Sequence, residues 1–226
     1  MQFLTWLYRP EKRAYLANNT DWKNKKMEYQ IKRKERICDE FFHIEKVFLD
    51  HDKFDGGEHQ NVRRYVSIRP DAVAVILENV QNKSIVLVRQ FRLPPVFREQ
   101  SGWQTEVIAG LVDKDESLED CVKREIHEET GYEAKNLEKV TSFLPSIGIS
   151  AEVIHLFYAQ TDGHLPVGKG GGLEHEHEDI QVIEKPIAVL MEEIANQTII
   201  DGKTILAIQW LLLKKQGLLP ARPTNG

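Results

Sequence analysis

Residues Gly110 to Tyr132 read GLVDKDESLEDCVKREIHEETGY, and the fold is decided there. The spacing predicts a helix over 117–130. Leu118, Cys121 and Val122 open an apolar stripe, Ile126 flanks it, and Gly131 supplies the stop. The stripe then turns acidic: Glu125 and Glu129 fall one turn apart on the line that Leu118 starts, with Glu128 beside them and Glu116 at the helix start. Stacked like charges cost roughly a few tenths of a kcal/mol per pair, and partial burial adds to that. A divalent cation would reverse the sign, and all-oxygen ligands point to Mg²⁺ or Mn²⁺ rather than Zn²⁺. A solvated helix edge is the plainer reading of the same glutamates.

Outward from this helix, QTEVIAGLVD (104–113) reads as one strand running into it. DAVAVILENV and KSIVLVRQFR precede that strand as two strands joined near Gln81 and Asn82, with the near-continuous hydrophobicity of buried elements. LEKVTSFLPS and AEVIHLFYAQ follow as strands, then a glycine-rich loop at 161–179, a strand at IQVIEKP, a helix opening at Pro186, and a last amphipathic helix from Lys203 to Lys214. Helices against a mixed sheet predict an α/β fold, an α/β/α sandwich. FFHIEKVFLDH and NVRRYVSIR read as additional antiparallel strands around the turn-rich DKFDGGEHQN. The expected organisation is an N-terminal extension (1–27), an N-terminal strand layer serving dimerisation (28–69), a catalytic domain (70–218) and a tail (219–226).

The chain has 226 residues, 41% of them hydrophobic, enough for one sizeable core. No apolar run approaches a membrane span and the first residues do not look like a signal peptide, so a cytoplasmic protein is expected. Two cysteines, Cys38 and Cys121, make no disulfide framework, and Cys121 reads as a small core residue. A net charge of −5 gives no broad attraction to nucleic acid or membrane. The basic run Lys23 to Arg36 is interrupted by glutamates and reads as a solvated edge.

The segment GKGGGLEHEHEDI carries a second acidic cluster. Gly163 to Lys169 has P-loop spacing, but Gly170 stands where a metal-binding hydroxyl belongs and no helix pattern follows. His175 and His177 alone are a weak zinc signal. Two readings stand: a disordered acidic loop, or a loop that completes a metal site with one ligand and one general base.

The pattern from Gly110 to Gly131, with Glu116 and then Arg-Glu-Ile-x-Glu-Glu, resembles the Nudix hydrolase signature at every fixed position. Only Tyr132 departs, in a slot that is usually aliphatic. GGGLEHEHEDIQVIE, IIDGKTILAIQWL, KSIVLVRQFR and EVIAGLVD are similar to the nucleoside-diphosphate-sugar branch, which includes ADP-ribose pyrophosphatases, GDP-mannose hydrolases and UDP-sugar pyrophosphatases. The resemblance implies a Nudix-type sandwich and metal-dependent hydrolysis of a nucleoside diphosphate sugar, with ADP-ribose ranked ahead of GDP-mannose and UDP-glucose. It implies Mg²⁺, held by Glu125, Glu128, Glu129, Glu178 and the Ala109 carbonyl, and Glu176 as general base, with Glu174 a competing choice. A homodimer whose N-terminal strands contribute to the partner's pocket is expected by the same analogy.

Other roles follow from placement. Arg124 suits an ion pair with Glu128 or Glu116. Arg92, ending the RQFR strand, is placed to meet the diphosphate or sugar, with Arg64 and Arg69 as further substrate-binding candidates. By the family resemblance Glu152 joins these candidates; ADP-ribose enzymes usually show Ser-Pro-Gly and then Glu, whereas this chain has Ser146-Ile147-Gly148 and then Glu152, a departure that brings the other diphosphate sugars close behind. The alternative function is a Nudix-fold nucleotide-sugar sensor that does not cleave, though such modules typically lose glutamates that are all present here. A decapping-type enzyme would want a basic groove, against the acidic balance.

Overall fold

The run Ala72–Asn79, strand β4, is buried at every residue, and its alternation feeds two cores. Ala72, Ala74 and Ile76 point to one face of the sheet, Val73, Val75 and Leu77 to the other. A computed structural model describes residues 26–40, 43–163, 166, 168–173 and 178–219. It divides into two units, Met1–Ile68 and Arg69–Gly226.

In the second unit, a seven-stranded sheet has the order β10 (Gln181–Lys185), β5 (Ser84–Phe91), β4, β9 (Ile154–Thr161), β8 (Lys135–Phe143). Strand β6 (Trp103–Glu106) pairs with β5 and β7 (Ile108–Leu111) with β4. Only β4 and β9 run parallel, so the sheet is mixed. After a four-residue helix α1 (Leu93–Val96), helix α2 (Leu118–Thr130) covers one face through Cys121, Val122 and Ile126. Helices α3 (Ile187–Ala195) and α4 (Gly202–Lys215) cover the other through Leu190, Ala207, Ile208 and Leu211. This is the expected α/β/α sandwich. Truncating Ile126 or Leu211 to alanine would cost about 2–5 kcal/mol.

Three details of this unit depart from the sequence reading. QTEVIAGLVD is two strands, because at Val107 the backbone leaves the ladder and its N–H donates to Thr204 Oγ1 on α4 at 2.9 Å. The short α1 has no counterpart in that reading. Pro186 is the N-cap of α3 rather than its first helical residue.

The first unit is a three-stranded antiparallel sheet, β1 (Tyr29–Asp39), β2 (His43–Asp52) and β3 (Glu58–Ile68). Strand β1 falls largely within the basic run read as a solvated edge; it is an edge strand, its lysines paired to β2 carboxylates in Lys32–Asp50 at 3.1 Å and Lys34–Glu45 at 3.4 Å. The turn is shorter than expected, closing between Lys53 and Gly57. Among this unit's described residues only Val47 is buried. Phe41, Phe42 and residues 1–25 lie outside the described residues.

Candidate active site

Helix α2 begins at Ser117, whose Oγ accepts from the Asp120 amide at 3.1 Å, and Glu119 and Asp120 place negative charge at the positive end of the helix dipole. It ends at Gly131 in the left-handed region, φ +72. Between these caps the sheet-facing side carries Glu125 and Glu129 inward, 9% and 1% exposed.

Both carboxyls are displaced from their ordinary range. Burial, then the charges of Glu125 and Glu178, push the Glu129 carboxyl well above it, against the nearby Arg92 and the Ala109 backbone. Burial pushes Glu125 up to about 7, against the pull of Arg124. Glu129 Oε2 is buried without a hydrogen-bond partner, a condition that costs about 1–3 kcal/mol or more for a charged group. Strand β7 approaches closely because Gly110 has no side chain: a Cβ there would fall 1.8 Å from Glu125 Oε1.

Arg124 gathers the remaining glutamates. Its guanidinium is forked on Glu116 at 2.9 and 3.0 Å, and Nη1 reaches Glu125 at 2.8 Å and Glu128 at 3.0 Å. It therefore makes both ion pairs its spacing allows and a third to Glu125. The Arg124 bond holds the Glu116 carboxyl down at about 2.

Glu178 arrives from the glycine-rich loop, its Oε2 accepting from the Leu173 amide at 3.3 Å. Glu152 pairs with Arg69 at 3.8 Å. Arg64 lies on β3 in the N-terminal unit. Arg92, expected to face substrate, places Nε and Nη2 on Glu106 at 2.9 and 3.1 Å. Glu106 is 3% exposed and also takes Lys203 Nζ at 2.7 Å. Burial opposes the Arg92 charge, but Glu106 outweighs it and holds it firmly protonated. Glu174, His175, Glu176 and His177 lie outside the described residues.

Sequence reasoning missed Glu106, although a lone acid in the strand pattern QTEVIAGL was its visible signal. It also missed Glu184, whose carboxylate accepts from Ser84 Oγ and from Tyr132 Oη, each at 2.5 Å, and from Asn82 Nδ2 at 3.1 Å. Tyr132, the departure from the aliphatic pattern, is thus the donor that ties the end of α2 to β10.

Among the described residues no three His, Cys, Asp or Glu side chains converge closely enough to chelate an ion as they stand, since Arg124 holds Glu125 and Glu128 and Glu178 is turned to Leu173. The donor set nonetheless fits a divalent cation. The buried, unpartnered Glu129 Oε2 is the kind of atom a cation satisfies, and two carboxyls that resist ionisation beside a third need positive charge.

A sandwich of this topology sets a caged acidic helix under a glycine strand, a carboxylate site suited to a divalent cation. The NUDIX domain family matches residues 68–205, and the chain belongs to that family: it is a Nudix hydrolase. Such enzymes generally work with a divalent metal ion. The chain is 38% identical over 183 residues to the GDP-mannose pyrophosphatase of Cronobacter sakazakii, covering 80% of this chain and 94% of that protein. It is 37% identical over 176 residues to the GDP-mannose pyrophosphatase of Shigella flexneri, covering 77% and 90%. A solved structure described as an ADP compounds hydrolase superposes with a TM-score of 0.65 at 20% identity, over 87% of this chain and 100% of that one, a likeness of fold alone. No helix among the described residues is long and apolar enough to cross a membrane.

Proposed function

We propose that the protein hydrolyses the diphosphate bond of a nucleoside diphosphate sugar, yielding a nucleoside monophosphate and a sugar phosphate, with Mg²⁺ or Mn²⁺. The observation that carries this reading is the unpartnered, buried Glu129 Oε2 beside Glu125 on a complete Nudix helix. The names of the relatives favour GDP-mannose, whereas the sequence alone ranked ADP-ribose first.

Glu125, Glu128, Glu129 and Glu178, with the Ala109 carbonyl, are the residues assigned to hold the cation. When bound it neutralises the diphosphate oxygens and acidifies the attacking water. The chain's own residues do the rest. Arg124 orients Glu125 and Glu128 through its guanidinium. Arg92, fixed by Glu106, offers a permanent positive charge to the anionic substrate, Arg69 and Glu152 are further substrate contacts, and Arg64 would be contributed by the N-terminal strands of a second copy. Glu176 takes the proton from the attacking water. The small core of the first unit supports a homodimer, in which the N-terminal strands are covered by a second copy. No nucleic-acid or membrane partner is invoked, and the expected compartment is the cytoplasm.

The test is turnover of GDP-mannose, ADP-ribose and UDP-glucose with Mg²⁺, followed by phosphate-product analysis. One or more should be cleaved, and EDTA should abolish it. No cleavage of any of the three, or turnover indifferent to EDTA, sinks the reading.

A further inference from the structure

The loop that delivers Glu178 is fastened to the end of helix α2 by main-chain bonds. The Gly168 amide donates to Gly131 O at 2.9 Å, Gly171 to Glu129 O at 2.8 Å, and Gly172 to Glu128 O at 3.2 Å. Two last-turn carbonyls of the acidic helix, groups that a helix end leaves unpaired within itself, are satisfied by this loop. Its other edge meets the following chain: Ile180 N donates to Gly171 O at 3.1 Å, and Glu178 N to Leu173 O at 3.3 Å, while Leu173 N returns a bond to Glu178 Oε2 at 3.3 Å. One strap thus touches the helix on one side and Glu178 on the other.

Gly170, Gly171 and Gly172 all take positive φ, +60, +96 and +81, which other residues reach only with strain. They differ in space. A Cβ on Gly172 would fall 2.7 Å from Glu178 Cβ and 2.8 Å from its Oε2, whereas one on Gly171 would meet nothing nearer than Ile180 O at 3.8 Å.

We propose that Gly172 is a positioning residue for the Glu178 carboxylate. Its bare Cα lets the strap bond the helix while the Glu178 side chain lies directly against it, which sets where that carboxylate stands relative to Glu129. Gly171 needs the same backbone freedom but does not touch Glu178, so it separates backbone strain from displacement of the carboxylate. The inference rests on the reading of Glu178 as a metal-holding residue.

The experiment measures Mn²⁺ binding to the full chain from the electron paramagnetic resonance of the free ion, with kcat, KM and melting temperature alongside. Gly172→Ala should weaken Mn²⁺ binding about 10–100-fold, the range for residues that orient metal ligands, and lower kcat more than it raises KM. Gly171→Ala should melt earlier yet bind Mn²⁺ like wild type. Equal losses of affinity in the two variants, or none in Gly172→Ala, overturn the positioning role. Unchanged affinity in Glu178→Gln overturns the Glu178 reading instead. Should Gly172→Ala not fold, Glu178→Asp decides: it leaves the three glycines and their bonds to helix α2 unchanged and draws the carboxylate back by one methylene. A comparable loss supports the inference, and wild-type affinity overturns it.

Discussion

Gly110 and Glu125 meet with room for a hydrogen atom and nothing larger, a Cβ on the glycine falling 1.8 Å from Glu125 Oε1 and 1.9 Å from its carboxyl carbon. The first glycine of the motif is therefore a spatial requirement of its second half. Gly110→Ala should lower kcat about a hundredfold, the scale of an ångström of misplacement, with a loss of about 1–3 kcal/mol in stability from overpacking. Near-wild-type turnover in that variant would mean that the position of Glu125 does not matter to the chemistry.

Glu129→Gln should remove most activity while leaving the metal-free melting temperature unchanged or higher. The substitution takes a carboxyl that burial and two neighbouring glutamates already resist ionising and replaces it with a neutral group of the same shape. Calorimetry in chelator, paired with turnover in Mg²⁺, checks it. A sharp drop in melting temperature would mark Glu129 as a structural residue.

Stability without metal should fall as pH rises. Burial holds the Glu125 carboxyl at about 7 against 4.5 in the open chain, so the folded state keeps a proton that the unfolded state has released. The stabilisation is full below about 4.5, declines up to about 7 and is level beyond, on the order of 3 kcal/mol for this group alone. Glu129 acts with the same sign. Melting in chelator at pH 5 and pH 8 should show the difference, and Glu125→Gln should shrink it; equal melting temperatures would contradict the burial of these groups.

Arg124→Ala should lose both stability and activity. It strips Glu116, Glu125 and Glu128 of a shared cation, and leaving such hydrogen-bonding groups without their partner costs about 1–3 kcal/mol. Chemical denaturation reads this directly. A stability loss under about 1 kcal/mol, the scale of an exposed ion pair, would show that the cage does not hold the helix.

Sedimentation at micromolar concentration should find a dimer. Of the first unit's described residues only Val47 is buried, and Tyr29, Ile31, Ile37 and Tyr65 are exposed, which is too little core for a sheet to stand on its own. A fully active monomer would refute this.

How much of this was legible follows from whether the deciding partner lies near in sequence. The caps of α2, its apolar stripe and the buried runs of β4 and β5 are written locally, in Ser117, Gly131 and unbroken aliphatics. The break at Val107 is not, because the bond that causes it comes from Thr204. Strand β1 was legible only as part of a strand layer with a solvated edge: its charges do not give the pairing, which needs Asp50 and Glu45 opposite Lys32 and Lys34. Arg92 was seen, but its role was read without Glu106, and Tyr132 looked like a blemish in a motif until Glu184 supplied its acceptor. The acidic face of α2 was legible because its glutamates recur at helical spacing; which atom among them lacks a partner required the packed interior.

The amides of Gly171 and Gly172 end on helix carbonyls rather than on water, and this joins two motions that sequence keeps more than 40 residues apart. The loop cannot lift without stranding the last turn of α2, and the last turn cannot fray without releasing the loop. Exchange at the Gly171 and Gly172 amides should then slow together with exchange at the helix end when a ligand steadies the acidic helix.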